Sequence, residues 1–381
     1  MIFGFPLVSH RCLARLGAVL LFVALCVQPS VGLTSSVVSP APSDAVETEI
    51  WDRYGYPERG MDADGSTLAA THGDAVVVYE RSDGVGWSHD GVLPRPSNVT
   101  SAFGWAVSVD PGVVAVADPL FDDSQGAVFV YTRTGAGDWT HTDTLLSDSP
   151  ASRAGSLGMQ VVAEDGHIAA LDTGDTKAPN KTGSVYVFDR SGSEWMKEAK
   201  LQGPYGTRDD FGMDDGMVVL EGLLEPLVAY TESAEGEWVQ TAPVPAPDGC
   251  LVYLLDLAVG EEGIVTSFVC QISPAEQDLA FYRRTSDGEW VLEDRHETDH
   301  TADLVMENGT VLRGSTLNAA SLLQRQAGGT WELRQAWTSG DPLVSAFGED
   351  VALSEDSALV SAPGVNRTFA YPRLALTGAP I

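Results

Sequence analysis

The chain has 381 residues, and its 54 Asp and Glu against 22 Lys and Arg give a formal net charge of −32. Proteins that bind nucleic acids through their phosphates need a basic face, so this charge excludes that class of function. A solvated acidic surface is the plain interpretation. Capture of a divalent cation or of a cationic partner is the alternative, and the composition leaves it open.

Residues 1–32 have the pattern of a secretory signal peptide. Arg11 and Arg15 precede an apolar run from Leu16 to Val27, and the small residues Ser30 and Gly32 are typical of a cleavage site. The run is shorter than the ~20 apolar residues of a membrane-spanning helix, which disfavours an anchor. We therefore expect a secreted, extracellular protein whose mature chain has no membrane span.

A spacer rich in Ser, Pro and Ala follows at residues 33–46. The remainder contains four Asn-x-Ser/Thr sequons, which fit a secreted glycoprotein, although this tripeptide is common by chance. They lie at Asn98, Asn180, Asn308 and Asn366.

Tryptophans recur at a nearly constant interval along the rest of the chain. The interval is roughly 47 residues, within the range of repeat proteins such as propellers and solenoids. An aromatic side chain at the same place in every unit is expected to pack between units rather than to bind sugars. The series is Trp51, Trp87, Trp139, Trp195, Trp238, Trp290 and Trp331.

Two further markers have the same period. Tight turns that supply the positive φ angles of hairpins precede an apolar run in each unit. They lie at Asp64-Gly65, Asp110-Pro111-Gly112, Asp165-Gly166, Asp215-Gly216, Glu262-Gly263, Asn308-Gly309 and Asp356-Ser357. The other marker is the apolar run before each tryptophan, and these runs begin at Ala75, Ala127, Ser184, Leu227, Leu279, Ser321 and Thr368.

Alternating β-branched residues between hairpin turns indicate antiparallel strands. The markers therefore predict an all-β protein, a seven-bladed β-propeller of four-stranded antiparallel blades in one domain over 47–381. The last unit ends without a tryptophan, whereas Trp51 precedes the first unit. We expect an N-terminal strand at 47–53 to close the last blade, because a closed ring leaves no exposed sheet edge.

Two units resemble the FG-GAP repeat of the integrin α-chain propeller and of many secreted repeat proteins. Phe103-Gly104 is followed by Ala117-Asp118-Pro119, and Phe347-Gly348 is followed by Ala362-Pro363. The resemblance extends over about 47–381, and it implies a propeller that acts in binding or adhesion. Partial copies of the Phe-Gly pair are Phe211-Gly212 and the degenerate Leu157-Gly158.

The same resemblance raises the question of calcium, because some FG-GAP blades hold this ion in an Asp-x-Asp-x-Asp-Gly-x-x-Asp loop. The nearest match here is Asp62-Ala63-Asp64-Gly65, with Gly60 and Leu68 where the family has acids. We therefore expect that calcium cage to be absent. A different metal site is left open in the loop between the second and third strands of one unit, at Asp118, Asp122 and Asp123.

The segment His296-Glu297-Thr298-Asp299-His300 matches the His-Glu-x-x-His motif of zinc proteases. In those enzymes a helix places both histidines on one face and the glutamate serves as general base. Here the segment links two units and has polar flanks, so we expect a solvated loop, with an adventitious surface metal site as the alternative. No nucleophile elbow or phosphate-binding loop occurs in the sequence, and we expect a protein that is not an enzyme and needs no cofactor.

The sequence thus predicts a monomeric binding or adhesion module that recognises an extracellular protein or glycan. The links between blades and the loops between second and third strands are the expected binding surface, since they vary most between units. The alternative is an extracellular hydrolase or lyase with carboxylates at the central channel. A pair of acids with raised pKa values on the inner strands would favour that alternative.

We predict that Cys250 and Cys270 form a disulfide bond. Cys12 and Cys26 leave with the signal peptide, and the turn at Glu261–Gly263 folds the strand after Cys250 against the strand that ends at Cys270. Closing this loop stabilises the fold by about 3 kcal/mol in the chain-entropy model. Thiol titration of the unreduced, secreted protein should find no free thiol, and two free thiols would contradict the pairing.

Overall fold

The computed structural model describes residues 60–373 except 83–85, 136, 149–156, 175–182, 193, 204–209, 222–226, 248–251, 262, 271–276, 299, 340–343 and 366. All of these residues belong to the unit Pro40–Ile381. Within this part of the chain, no helix is long and apolar enough to cross a membrane. The two helical segments are single turns at Phe121–Ser124 and Pro363–Val365.

The predicted seven-bladed β-propeller is confirmed. Blade 1 has strands β1 (Met61–Asp64), β2 (Thr67–His72), β3 (Ala75–Ser82) and β4 (Gly86–Val92). Blade 2 has β5 (Val107–Asp110), β6 (Val113–Asp118), β7 (Ala127–Arg133) and β8 (Trp139–Leu145). Blade 3 has β9 (Leu157–Glu164), β10 (His167–Asp172), β11 (Ser184–Ser191) and β12 (Glu194–Leu201).

The remaining blades follow the same order from the inner strand outwards. Blade 4 has β13 (Phe211–Asp214), β14 (Met217–Leu220), β15 (Val228–Glu232) and β16 (Trp238–Gln240). Blade 5 has β17 (Val252–Gly260), β18 (Gly263–Cys270), β19 (Gln277–Arg284) and β20 (Trp290–Thr298). Blade 6 has β21 (Thr301–Glu307), β22 (Thr310–Ser315), β23 (Ala319–Arg325) and β24 (Trp331–Thr338), and blade 7 has β25 (Val351–Ser354), β26 (Ser357–Ala362) and β27 (Arg367–Pro372).

The ring closes through the inner strands. The first strand of each blade packs against the first strand of the next blade, and β25 packs against β1. The core therefore consists of apolar layers between consecutive blades; Val109 and Val114, for example, pack with Val76 and Val78 of the preceding blade. Both faces of a blade are buried, because each face is one wall of such a layer.

The periodic tryptophans begin the fourth strands and pack between blades, as expected. Trp87, Trp139, Trp195, Trp290 and Trp331 are buried, with relative exposures of 3–8%. Trp238 is partly buried against the core between blades 3 and 4. Trp51 lies outside the described residues.

A bulge follows three residues after the tryptophan in five of the fourth strands. The extra residue of each bulge is Asp90, Thr142, Glu198, Glu293 or Arg334. A bulge aims its extra side chain out of the regular ladder. In two of these cases the side chain accepts a hydrogen bond from the indole of the next blade, from Trp139 to Asp90 at 3.1 Å and from Trp238 to Glu198 at 3.0 Å.

The Phe-Gly pairs have a defined place, seven residues before the end of the inner strand. Phe103 and Phe347 are buried there, and the glycines that follow them have positive φ angles of 85° and 86°. Gly104 also needs its small size, because a Cβ atom would lie 2.9 Å from the side chain of Thr71 in blade 1. Leu157-Gly158 occupies the same place in blade 3, and Gly158 has a positive φ of 96°. Phe211-Gly212 does not, because Phe211 begins the four-residue strand β13 and Gly212 has no positive φ angle, so this pair is not equivalent to the others.

Blade 7 has three strands within the described part of the chain, and β27 is the outermost. The expected closing strand at 47–53 lies outside the described residues. The indole N–H of Trp87 is buried and finds no acceptor among them. The indole N–H of Trp331 likewise finds no acceptor among the described residues, and the bulge residue of the preceding blade, Glu293, binds Arg325. In blades 2 and 4 the acceptor is the bulge residue of the preceding blade, so a fourth strand in blade 7 is the expected source of an acceptor for Trp87.

We predict that deletion of residues 33–53 destabilises the protein by about 3–5 kcal/mol or more, because a tryptophan would be lost from the last blade and β27 would keep an open edge. Deletion of 33–45 serves as the control and should be almost neutral, since this polar spacer has little to bury. Thermal unfolding and size-exclusion chromatography measure both effects. Equal melting of two monomeric variants would rule out closure by this segment.

Candidate functional site

Five of the seven inner strands end in a carboxylate. All inner strands run in the same direction along the central channel, because four antiparallel strands return the chain to the same end before each new blade begins. Their last residues therefore surround one mouth of the channel, which we call the acidic mouth. These carboxylates are Asp64, Asp110, Glu164, Asp214 and Glu307, with Gly260 and Ser354 at the other two places.

Burial and neighbouring carboxylates raise the pKa of two members of the acidic mouth, Glu164 and Asp64. The pKa of Glu164 is raised to about 9, first by burial and then by the charges of Asp214, Asp110 and Asp165. Burial and the charge of Asp110 raise the pKa of Asp64. Like charges held together at a partly buried site favour the protonated form, and positive charge is therefore attracted to this mouth.

An arginine of the third strand normally compensates the acids between blades. It lies opposite the tryptophan of the fourth strand; Arg81, Arg133, Arg190, Arg284 and Arg325 hold this place in blades 1, 2, 3, 5 and 6. In blades 1, 2 and 6 its guanidinium binds acids of the preceding blade. Arg133 binds Asp90 at 3.3 Å, and Arg325 binds Glu293 at 2.5 Å.

Blade 4 breaks this rule. Glu232 stands opposite Trp238, where the other blades have arginine. The acids of blade 3 therefore face a carboxylate of blade 4 instead of a guanidinium. The guanidinium that offsets negative charge at other junctions is therefore missing at the junction of blades 3 and 4.

Two groups of potential ligands meet at this junction of blades 3 and 4. One consists of Glu164, Asp165 and Asp214, and the other of His167, Glu198 and Glu232, with the ligand atoms of each group within 4.8 Å of one another. His167 begins β10, Glu198 is the bulge residue of β12, and Glu232 ends β15. Three strands from two blades are needed to bring the second group together.

The proposed metal ligands of the loop after β6 do not form such a group. Asp118 is fully buried, and its carboxylate accepts hydrogen bonds from the amide and hydroxyl of Thr100, both at 2.6 Å. Asp122 and Asp123 are exposed and have left-handed φ angles of 47° and 56°. In this geometry Asp118 holds the loop before β5, and the metal site at these residues stays a prediction.

The nearest match to a calcium loop has another use. Asp62 is partly buried and accepts hydrogen bonds from the hydroxyl of Ser108 at 2.7 Å and from the amide of Val109 at 2.8 Å. Burial raises the pKa of Asp62 to about 6, although these hydrogen bonds lower it. Asp62 thus joins blades 1 and 2, while Asp64 belongs to the acidic mouth.

The His-Glu-x-x-His segment is not a helix. Residues 296–298 belong to strand β20. The expectation that they lie in the link between blades was therefore wrong. His296 contacts Asp294 at 3.1 Å and packs edge-on against Phe281, while His300 has a left-handed φ of 53° after the strand. This geometry does not place both imidazoles on one face of a helix, which the protease motif requires.

The predicted disulfide and two of the sequons depend on undescribed residues. Cys250 lies outside the described part of the chain, and the register of the hairpin pairs Cys270 with Val252, two residues later. Asn98 and Asn308 are exposed, and Asn308 has a φ of 46° in its hairpin turn. Asn180 and Asn366 lie outside the described residues.

The comparisons with known proteins agree on the fold. No family model and no curated protein sequence matches the chain, so the FG-GAP resemblance is not confirmed. The chain is similar in structure to a chain in the crystal structure of the mitotic checkpoint complex (TM-score 0.56, 12% identity, 93% of this chain and 98% of that chain). It is also similar to the WD40 repeats of RRP9 (TM-score 0.55, 12% identity, 88% and 99%). A putative 6-phosphogluconolactonase from Bacteroides fragilis matches with a TM-score of 0.50 and 13% identity over 73% and 83%.

We predict that Glu164→Gln stabilises the protein at pH 7 by about 1–3 kcal/mol after allowance for solvent screening. The native state binds a proton at Glu164 between pH 4.5 and about 9, whereas the unfolded state does not, so wild-type stability falls as the pH rises through this window. Glutamine removes this slope. Urea unfolding at several pH values measures it.

Glu194→Gln, an exposed acid at the start of β12, is the control and should leave the slope unchanged. If Glu164→Gln follows the wild-type pH dependence, Glu164 is ionised in the folded protein at neutral pH and the description of the acidic mouth is wrong.

Proposed function

We propose that this protein is a protein-interaction scaffold whose acidic mouth binds a basic segment of a partner protein. The fold supports such a role in general, because the similar structures include a propeller within a protein complex. The observation on which the proposal rests is the carboxylate ring of the mouth, which lacks its compensating arginine between blades 3 and 4.

A lysine or arginine side chain suits this mouth for a physical reason. Carboxylates with raised pKa values repel one another, and a bound cation removes that repulsion. A channel mouth of one sign, surrounded by low-dielectric walls, also concentrates the field and speeds the approach of an oppositely charged partner. The mouth therefore favours a basic protein segment over a neutral glycan.

The proposal moves the binding surface to the opposite end of the ring from the one that loop variability indicated. The links between blades and the loops after each second strand lie at one end, and the hairpin turns that carry the acidic mouth lie at the other. Secretion, glycosylation and an extracellular adhesion role remain part of the proposal, supported by the signal-peptide pattern, the sequons and the FG-GAP resemblance.

A second candidate function is hydrolysis or elimination at the same mouth. Glu164 is protonated at neutral pH if its pKa is about 9, and such a group can donate a proton to a leaving group beside carboxylates that act as bases. The raised pKa on an inner strand is the specific observation in favour. A screen with glycoside and lactone substrates tests it, with Glu164→Gln expected to abolish any turnover.

We predict that a fluorescent peptide of alternating Lys and Ser binds the protein and that the double variant Asp64→Asn, Asp165→Asn weakens binding about five- to tenfold. Asparagine keeps both hairpin turns, because it tolerates left-handed backbone as aspartate does. Binding should also weaken with added salt. Fluorescence anisotropy measures the affinities.

The matched control is Asp122→Asn, Asp123→Asn, which removes the same charge at the other end of the ring. It should bind like the wild type. If both double variants lose affinity equally, peptide binding depends only on the net charge of the protein, and the acidic mouth is not the binding site.

A further inference from the structure

We propose that His167, Glu198 and Glu232 bind one divalent transition-metal ion, such as zinc, at the junction of blades 3 and 4. His167 lies on a second strand and Glu232 on a third strand, outside the inner strands whose ends form the acidic mouth. Metal binding at this site does not depend on a protein partner.

The distances between the donor atoms fit a metal ion. The Nε2 atom of His167 lies 3.7 Å from the Oε2 atom of Glu198 and 3.7 Å from the Oε2 atom of Glu232. Zinc binds imidazole nitrogen and carboxylate oxygen at about 2.0–2.2 Å, so two donors at a tetrahedral angle lie about 3.4 Å apart. A contraction of a few tenths of an ångström brings the imidazole to this distance from either carboxylate, and all three donor atoms lie within 4.8 Å of one another.

At two other junctions of the repeat, a guanidinium occupies the equivalent place. At the equivalent place between blades 1 and 2, the bulge residue Asp90 binds the guanidinium of Arg133 at 3.3 Å. Between blades 5 and 6, the bulge residue Glu293 binds Arg325 at 2.5 Å. Between blades 3 and 4 the bulge residue Glu198 is kept, but the arginine is replaced by Glu232. A metal ion would stand where a guanidinium stands in the other junctions.

The imidazole distinguishes this place from the other junctions. Position 167 is the first residue of the second strand, and blades 1, 2 and 6 have Thr67, Val113 and Thr310 there. A nitrogen donor with two carboxylates suits zinc and other first-row transition metals, whereas calcium and magnesium prefer oxygen donors alone. At this junction Glu232 stands in place of the arginine, and His167 stands in place of the threonine or valine of blades 1, 2 and 6. Together these two differences create a donor set of one nitrogen and two carboxylates.

Neighbouring side chains hold the ligands in place. The indole N–H of Trp238 donates to Oε2 of Glu198 at 3.0 Å, and the same indole packs edge-on against the imidazole of His167, with ring centroids 5.9 Å apart. Only 15% of the His167 side chain is exposed. Such outer contacts orient ligands and favour metal binding. Asp189 lies 4.0 Å from His167 and can bind through a water molecule.

The competing explanation is an imidazolium at His167 that forms ion pairs with Glu198, Glu232 and Asp189. The test must therefore detect the metal itself. The protein is treated with chelator, and zinc and cobalt(II) are then titrated by calorimetry and by cobalt absorption, with calcium as the comparison. We expect one zinc ion per chain, a tetrahedral cobalt spectrum, and a rise in melting temperature of roughly 3–6 °C at saturation.

Three variants assign the site. His167→Gln should weaken zinc binding at least tenfold, and Glu232→Arg should abolish it, because it restores the arginine of the other junctions. Without metal, Glu232→Arg should melt at or above the wild-type temperature, which shows that it folds. Glu235→Gln, an exposed acid in the turn after β15, is the control and should bind zinc like the wild type.

Two results would overturn the proposal. One is a wild-type protein whose melting temperature and cobalt spectrum do not respond to millimolar metal, which would leave the imidazolium ion pairs as the explanation. The other is equal zinc affinity in wild type, His167→Gln and Glu232→Arg, which would place the bound ion elsewhere. Neither result bears on binding of the basic peptide, which depends on Asp64 and Asp165.

Discussion

The structure depends on the fact that each blade is apolar on both faces. A four-stranded sheet of this kind cannot be stable alone, because at least one face would lie in water. Side chains of β6 illustrate this: Val114 and Val116 pack towards blade 1, whereas Ala115 and Ala117 pack towards blade 3. Each blade therefore needs two neighbours, and a closed ring is the arrangement that provides them for all blades.

The ring also determines where polar groups collect. All inner strands run in the same direction, so their last residues meet at one mouth of the channel. Acidic residues that recur at the ends of these strands therefore form one negatively charged surface. Third-strand arginines such as Arg133 and Arg325 offset part of this charge between blades. The site between blades 3 and 4 arises because Glu232 removes that compensation at one junction while the surrounding framework is unchanged.

The fold could be predicted from the sequence because its markers are local. A turn, an apolar run and a tryptophan each report on one strand or hairpin, and seven copies make chance agreement negligible. The acidic mouth could have been found too, since Asp64 and Asp110 belong to the turn series, but each was taken as a turn former. Aspartate is common in turns because its side chain forms hydrogen bonds with the backbone. Its presence in a turn therefore gave no reason to expect a charged surface.

The second group of ligands could not be predicted in this way. His167, Glu198 and Glu232 lie on three strands of two blades, and the position of Glu198 depends on a one-residue bulge. The extra residue of the bulge differs in type between blades, so the residues themselves do not mark it in the sequence. The shifted Phe211-Gly212 pair failed for a related reason, because a two-residue motif has no fixed distance to the strand end unless the whole unit is aligned.

Glu232 has a mechanical consequence as well. A closed ring distributes its packing over seven joints, and it opens first at the joint that is held least firmly. The chain termini would normally be the weak seam of a propeller, but Glu198 and Glu232 place two carboxylates within 4.8 Å of one another at a second joint nearly opposite to it. Without a bound cation we expect breathing motions of the ring to begin there, so that blades 1–3 and 4–7 separate as two arcs about the junction of blades 7 and 1 as hinge.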